Sequence, residues 1–324
     1  MSKRERISGI WLITMNLLSL FAYTIFYVAQ MWLSFLNIWY LALVILQAAA
    51  LFIYMWGPEK LKSKKFRGLY HLLIASSILV IPSFIFIFSG LISQYHAVIP
   101  EAIDASSMRA EEILPKEQTT IYNTGTLYVF FPEYSNIELV TENRPSQADD
   151  SITWCSAAAF QHTVSLGFSE ENVEGDHAVN GTLYESPYNR DDFMAFTFAD
   201  GKFAFNFENT SEAIKKAAEA GGSGFMQFGL FKDGEPIMTF DKLRARSYRT
   251  LAVLNGNLCI IDSVKMMHFY EFMEEVQKLG VTNAIYMDMG AGWNYSWYRT
   301  VSGKVRTLFS LPIPWSHNWV VFRK

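Results

Sequence analysis

Two stretches without a single charge fill most of the first third of the chain. No Lys, Arg, Asp or Glu stands between Arg6 and Glu59, and none between Gly68 and Pro100. A bilayer crossing takes about 20 apolar residues, so the pattern predicts three transmembrane helices, near 7–29, 38–56 and 69–93. Trp32, Trp39, Tyr40 and Trp56 fall where interfacial aromatics are expected, and Pro82 predicts a kink in the third helix. Residues 94–119 are polar and acidic without a sustained period and read as a linker or stalk. From residue 120 onward the apolar runs are short and bounded by turn residues, the mark of strands.

Those strands are expected over 127–131, 193–198, 202–207, 225–231, 251–254, 258–261, 284–287 and 319–322. Tight turns are expected at Asn180-Gly181, Asp200-Gly201, Asp233-Gly234 and Asn255-Gly256. One helix should open with Asn209 as N-cap and Glu212 at N3, stopping at Gly221-Gly222. A second should follow Ser263, with Phe269, Phe272, Met273, Val276 and Leu279 on one face and Gly280 as its stop. Residues 152–164 are apolar and rich in alanine, which favours helix there. The expected fold is α+β: a mixed β-sheet domain with packed helices over 120–324, preceded by a three-helix membrane anchor over 1–93.

Charge adds direction to this picture. Lys3, Arg4 and Arg6 precede the first apolar segment, and Lys60, Lys62, Lys64, Lys65 and Arg67 separate the second from the third. Basic flanks stay in the cytoplasm. The expected location is therefore the cytoplasmic membrane, multi-pass, with the carboxyl-terminal domain extracytoplasmic and a lipid bilayer as one partner. Residues 94–324 carry 19 of the 27 basic and 29 of the 31 acidic side chains, a net charge of −10 that excludes nucleic acid as a ligand. Cys155 and Cys259 both lie in this part, open to a disulfide or to service as buried thiols.

Candidate chemistry concentrates in 279–299, reading LGVTNAIYMDMGAGWNYSWYR. A buried strand ends there in a single carboxylate, Asp288, followed by Gly290, Gly292 and Trp293. A carboxylate at a strand end before a Gly-rich turn suits catalysis, and suits a turn cap equally. No His/Cys/Asp cluster has metal-ligand spacing, and no phosphate-binding Gly-Lys loop or nucleophilic Ser or Cys motif is present.

Four blocks, HAVNGTLYES, GGSGFMQFGLFKDGEP, RSYRTLAVLNGNLCIID and LGVTNAIYMDMGAGWN, stand in this order between Asp176 and Arg299. Together they resemble the phosphodiester glycosidase family, that of the animal "uncovering enzyme". The chain departs from the family pattern at Thr182, Phe225 and Met289, where the family carries Gly, Pro and Gly. The resemblance implies a hydrolase that releases a sugar from a sugar-1-phosphodiester, acting on an envelope or extracellular glycan. The alternative is an inactive glycan- or protein-binding member of the same fold.

The resemblance implies Asp288 as the carboxylate that stabilises an oxocarbenium-like state or activates water, with Arg249 as phosphate fork and Asn180 as hydrogen-bond donor. His177, Glu185, Gln227, Gly290, Trp293 and Arg299 are the expected substrate contacts, with Asp191 and Asp192 as further carboxylate candidates. Tyr295 and Trp297 suit either a sugar platform or the core side of a strand. No cofactor is assigned beyond the option of a divalent cation held by Asp288.

Overall fold

The computed structural model describes residues 100–116, 119–161, 173–238, 245–289, 295–309 and 317–324, together with Trp11, Thr14, Met15, Leu17 and Ile45. The chain divides into two units, Met1–His96 and Ala97–Lys324. In the first, the five described residues are helical.

The second unit is built from strands. A 12-stranded sheet runs β1 (Ile103–Asp104), β2 (Thr120–Asn123), β3 (Leu127–Phe131), β13 (Asn257–Ser263), β12 (Arg249–Leu254), β14 (Asn283–Tyr286), β10 (Ser223–Lys232), β6 (His177–Val179) and β7 (Thr182–Tyr184). Three more strands, β8 (Phe193–Ala199), β9 (Lys202–Asn206) and β11 (Glu235–Pro236), join it through β10 and β8. A 5-stranded sheet runs β16 (Val305–Phe309), β15 (Ser296–Arg299), β5 (Ile152–Ala157), β17 (Asn318–Arg323) and β4 (Asn136–Thr141). Every described pairing between these strands is antiparallel except β1 with β2.

Among the described residues, three cores follow from the alternation of side chains along these strands. Phe130, Leu251, Ile260, Ile285 and Met287 of the large sheet meet Trp154, Tyr298, Val320 and Phe322 of the small one. On the other face of the large sheet, Ala252, Leu254, Ile261, Ala284 and Tyr286 pack with Phe269, Phe272 and Val276 of α2 (Phe269–Lys278) and Ile214 of α1 (Thr210–Glu219). The outer face of the small sheet buries Cys155, Trp297, Trp319 and Val321. β12 is buried at every position, which explains the unbroken apolar run at 251–254 that follows Arg249 and Thr250.

Four expected turns form with positive φ at both central residues: Asn180-Gly181, Asp200-Gly201, Asp233-Gly234 and Asn255-Gly256. That geometry matches the right-handed twist of the hairpins they close. Asn209 is the N-cap of α1, in left-handed backbone and without a side-chain cap bond.

The α+β expectation with packed helices and three transmembrane helices is corrected. The described part of the second unit is β-rich, with two stacked sheets and two α-helices of 10 residues each. At 1.5 Å per residue such helices span roughly 15 Å, half of a bilayer's apolar core. No helix among the described residues is long and apolar enough to cross a membrane. The multi-pass cytoplasmic-membrane location and the lipid partner lose their support with it. The segments 7–29, 38–56 and 69–93 otherwise lie outside the described residues.

The helix expected at 152–164 is also corrected: residues 152–157 form β5, buried at every position between β15 and β17. Pairing on both edges and burial on both faces override the alanines' weak helix preference. Cys155 and Cys259 are free thiols in different cores, and burial raises both well above the ordinary thiol range.

Candidate active site at the end of a central strand

The strand β14 lies between β12 and β10. Its register is set by Thr250 opposite Tyr286 on one side and Gly229 opposite Ile285 on the other. The Met287 N–H donates to the Arg249 carbonyl at 3.1 Å, which carries the first pairing one residue further. Continuing the β12 register sets Met287 across from Arg249 and Asp288 across from Tyr248, while Gln227 and Met226 of β10 pair with Met194 and Ala195 of β8. Successive positions point to opposite faces of a sheet, so these two rows belong to different sides of the domain.

The first row faces the small sheet. The guanidinium of Arg249, fully buried, lies 5.3 Å from the Trp154 ring centroid. Its fork is already occupied: Nε donates to Asp262 Oδ1 and Nη2 to Oδ2, both at 2.6 Å. Arg249 stands directly opposite Asp262 in the register, which makes this bidentate pair cross-strand. Nη1 has no acceptor among the described residues. Gln227, also fully buried, turns its Oε1 to the N–H of Phe228 at 2.9 Å and leaves Nε2 without an acceptor there.

The second row faces the helices. Asp288, 5 % exposed, donates its backbone N–H to the Ala158 carbonyl at 3.1 Å, tying the strand end to the chain leaving β5. Tyr286 and Tyr248 both belong to the helix-side core. Tyr248 packs on Phe269 and Phe272, with ring centroids 5.4 and 5.3 Å away, and its buried hydroxyl has no partner among the described residues. Burial, then the Asp288 carboxylate and Tyr248, raise the Tyr286 phenol far above its ordinary range; Arg246 acts in the opposite sense. Burial likewise raises Tyr248, again opposed by Arg246. Both phenols thus stay protonated at neutral pH and act as neutral hydroxyls.

Arg246 lies two residues before Tyr248, bridged through its backbone to Met267. Its side chain is exposed and has no acidic partner among the described residues. Arg246, Tyr248 and Tyr286 were not among the residues expected at the site. Spacing gave no signal for them: β12 begins at Arg249, Tyr248 is hydrogen-bonded to Ser263, and Arg246 bridges to Met267, so the pairing shifts between the two.

The remaining expected site residues are spread around this end of the sheet or away from it. His177 is fully buried, its Nδ1 3.3 Å from the Gly175 carbonyl and its ring stacked on Tyr184 at 5.1 Å. Gly175 has φ +85°, and a Cβ there would stand 2.6 Å from Met226 Cβ, so only glycine lets this segment lie against β10. Asn180 is the first residue of the β6–β7 turn, exposed, with its Oδ1 accepting from Ser223 Oγ at 3.1 Å. Glu185 is exposed at the end of β7. Asp192 is paired with Arg190, whose guanidinium lies 4.6 Å from the Phe228 ring centroid.

Arg299 is committed to main-chain carbonyls: Nε to Ile152, Nη1 to Gly303, and Nη2 to Gln147 and Asp149, at 2.8–3.0 Å. Trp297 and Tyr295 are buried in the outer core of the small sheet. Gly290 and Trp293 lie outside the described residues. Among the described residues, no group of three or more His, Cys, Asp or Glu is placed to hold a metal ion.

The arrangement is a buried carboxylate just past the end of a central strand, with two neutral phenol hydroxyls in the core on its helix side. No family model matches the chain. No curated protein matches it either. Among solved structures it is similar to the catalytic domain of zebrafish N-acetylglucosamine-1-phosphodiester alpha-N-acetylglucosaminidase, auto-inhibited by its pro-peptide. The TM-score is 0.44 and the identity 10%, over 61% of this chain and 76% of that one. At that level the likeness carries no inference about activity.

Proposed function

We propose that the chain is a hydrolase of glycan phosphodiesters, cleaving a sugar-1-phosphodiester with Asp288 as the carboxylate at the reacting carbon. The observation that carries this reading is the place of Asp288. It stands two residues past the end of β14, in the middle of the large sheet, nearly buried and close to two hydroxyls held in their neutral form. Breaking the bond between a sugar and its phosphate builds positive charge at the anomeric carbon. A desolvated carboxylate beside that carbon stabilises the charge far more strongly than a solvated one, because it acts in low dielectric. The four sequence blocks that resemble phosphodiester glycosidases converge on this sheet, since they contain β6 with β7, β10, β12 with β13, and β14.

Arg249 takes a supporting part in this reading. Its fork belongs to Asp262, and its carbonyl receives the N–H of Met287, so it holds the strand end from behind. One observation favours a second reading, a glycan-binding protein without catalysis: the arginine expected to clasp phosphate is spent inside the fold. Full-length protein incubated with a panel of sugar-1-phosphodiesters separates the two. Free sugar released by the wild type and lost in Asp288→Asn supports the hydrolase. Binding of the same compounds without release, unchanged in Asp288→Asn, supports the second reading.

A further inference from the structure

We propose that the open edge of β9 docks a second copy of this chain, the two β9 strands pairing antiparallel to join the large sheets of both copies. The inference is independent of the hydrolase reading. Among the described strands, β9 is hydrogen-bonded to β8 alone, which leaves its other edge open. An open edge is a template for another strand. Neither a proline nor a bulge blunts this one.

The hairpin decides which backbone groups face outward. The turn Asp200-Gly201 has positive φ at both residues, and Ala199 and Lys202 flank it as partners. In such a turn the flanking pair exchanges both of its backbone bonds, and the bonded pairs then recur at every second residue. Lys202, Ala204 and Asn206 therefore spend their N–H and C=O groups on β8. Phe203 and Phe205 turn theirs outward, and one step further the same spacing reaches Phe207.

The side chains select one register. Centred on Phe205, it brings Phe205 opposite its own copy, Phe203 opposite Phe207 of the second copy, and Lys202 opposite Glu208 of the second copy. Phe203, Phe205 and Phe207 are half-buried against the inter-sheet core; Phe205 lies 5.3 Å from Phe196 and 6.3 Å from Phe203 by ring centroids. Pairing extends this aromatic row from one copy into the other and covers the parts that each leaves exposed. Lys202 and Glu208 are exposed, and the register sets opposite charges against each other at both ends of the contact. Lys232 stands 3.6 Å from Glu208, an exposed pair that holds the carboxylate only weakly and leaves it open to a second cation. Two other edge strands lack this complementarity: turned on itself, β4 sets Glu138 against Leu139, and β16 sets Arg306 against Leu308.

The test uses the full-length chain. Lys202→Cys/Glu208→Cys places thiols that this register brings face to face between copies, in a pair whose Cα atoms should stand about 4.5 Å apart. Within one chain the two positions lie roughly 20 Å apart along extended backbone, too far for a disulfide. Cys155 and Cys259 are fully buried and do not compete. Mild oxidation should give a covalent dimer on a non-reducing gel, about 10-fold more than from either single cysteine variant.

Sedimentation equilibrium should show the wild type dimerising with a Kd of roughly 1–100 μM, because one strand edge makes a small interface. Lys202→Glu should weaken the dimer about 10-fold, and Lys202→Glu/Glu208→Lys should restore it to within about 3-fold, with melting temperatures unchanged. That rescue separates a contact between copies from a role of either side chain in the fold. A wild type that stays monomeric up to about 200 μM overturns the proposal. So does a dimer that Lys202→Glu leaves unchanged, or cross-linking as strong from either single cysteine as from the pair.

Discussion

The two faces of β14 make an instructive pair. Toward the small sheet, Met287 sits in a row with Arg249 and Asp262, and the charges there are locked against each other under Trp154. Toward the helices, Asp288 follows Tyr286 with Tyr248 across from it, and Arg246, two residues before Tyr248, is exposed and has no acidic partner among the described residues. Adjacent residues have been parted by the pleat: Arg249 from Tyr248, and Met287 from Asp288. The lesson concerns polar satisfaction. On the inter-sheet side the two charges answer each other and serve the fold, although Arg249 Nη1 and Gln227 Nε2 have no acceptor among the described residues; on the helix side no acidic group there answers Arg246.

The sharpest way to break this comparison is to remove Asp262. Asp262→Ala leaves the buried Arg249 charge without its partner and should cost about 3–5 kcal/mol of stability. Urea denaturation reads this directly. A loss under about 1 kcal/mol would show that the inter-sheet row is not the structural one. On the other face, Asp288→Asn should cost roughly 100- to 1000-fold in sugar release, or about 3–4 kcal/mol of transition-state stabilisation. Its denaturation midpoint should move little, since the amide keeps the shape of the carboxylate. Unfolding in this variant would make Asp288 a turn cap and reverse the contrast.

Arg299 offers a third, smaller test, as an arginine satisfied wholly by carbonyls. Arg299→Lys cannot reproduce four bonds from one planar fork and should cost about 1–2 kcal/mol in a melting experiment. The smallest expected effect is a pH dependence far from either row. The Arg323 guanidinium, with Ser151 adding to it, lowers the Asp149 carboxyl to about 2. A depressed carboxyl stabilises the fold above its unfolded pKa, near 4. That contribution should fade as pH drops from about 4 to 2. The Asp149 side chain is 37% exposed, so solvent screening keeps the loss modest. Asp149→Asn should flatten the urea midpoint over that window if the assignment holds.

Local chemistry is legible in the sequence. The Asn-Gly and Asp-Gly pairs set four turns, because those residues tolerate the positive φ that hairpins require. The apolar face from Phe269 to Val276 set α2, and the run 284–287 set a central strand with Asp288 at its end. Residues 152–157 misled, because alanine's helix preference is worth a few tenths of a kcal/mol and burial between two strands outweighs it.

What the chain alone determined, then, were elements whose signal lies within about ten residues: turns, caps, amphipathic faces and strand ends. Tertiary structure decided everything that depends on which face a side chain takes and what meets it there. Asp262 answers Arg249 from a neighbouring strand 13 residues away, and Asp149 answers Arg323 from 174 residues away. Only the register of β12 against β14 brings Tyr248 to Asp288, because a shift of one residue sends every side chain to the opposite face.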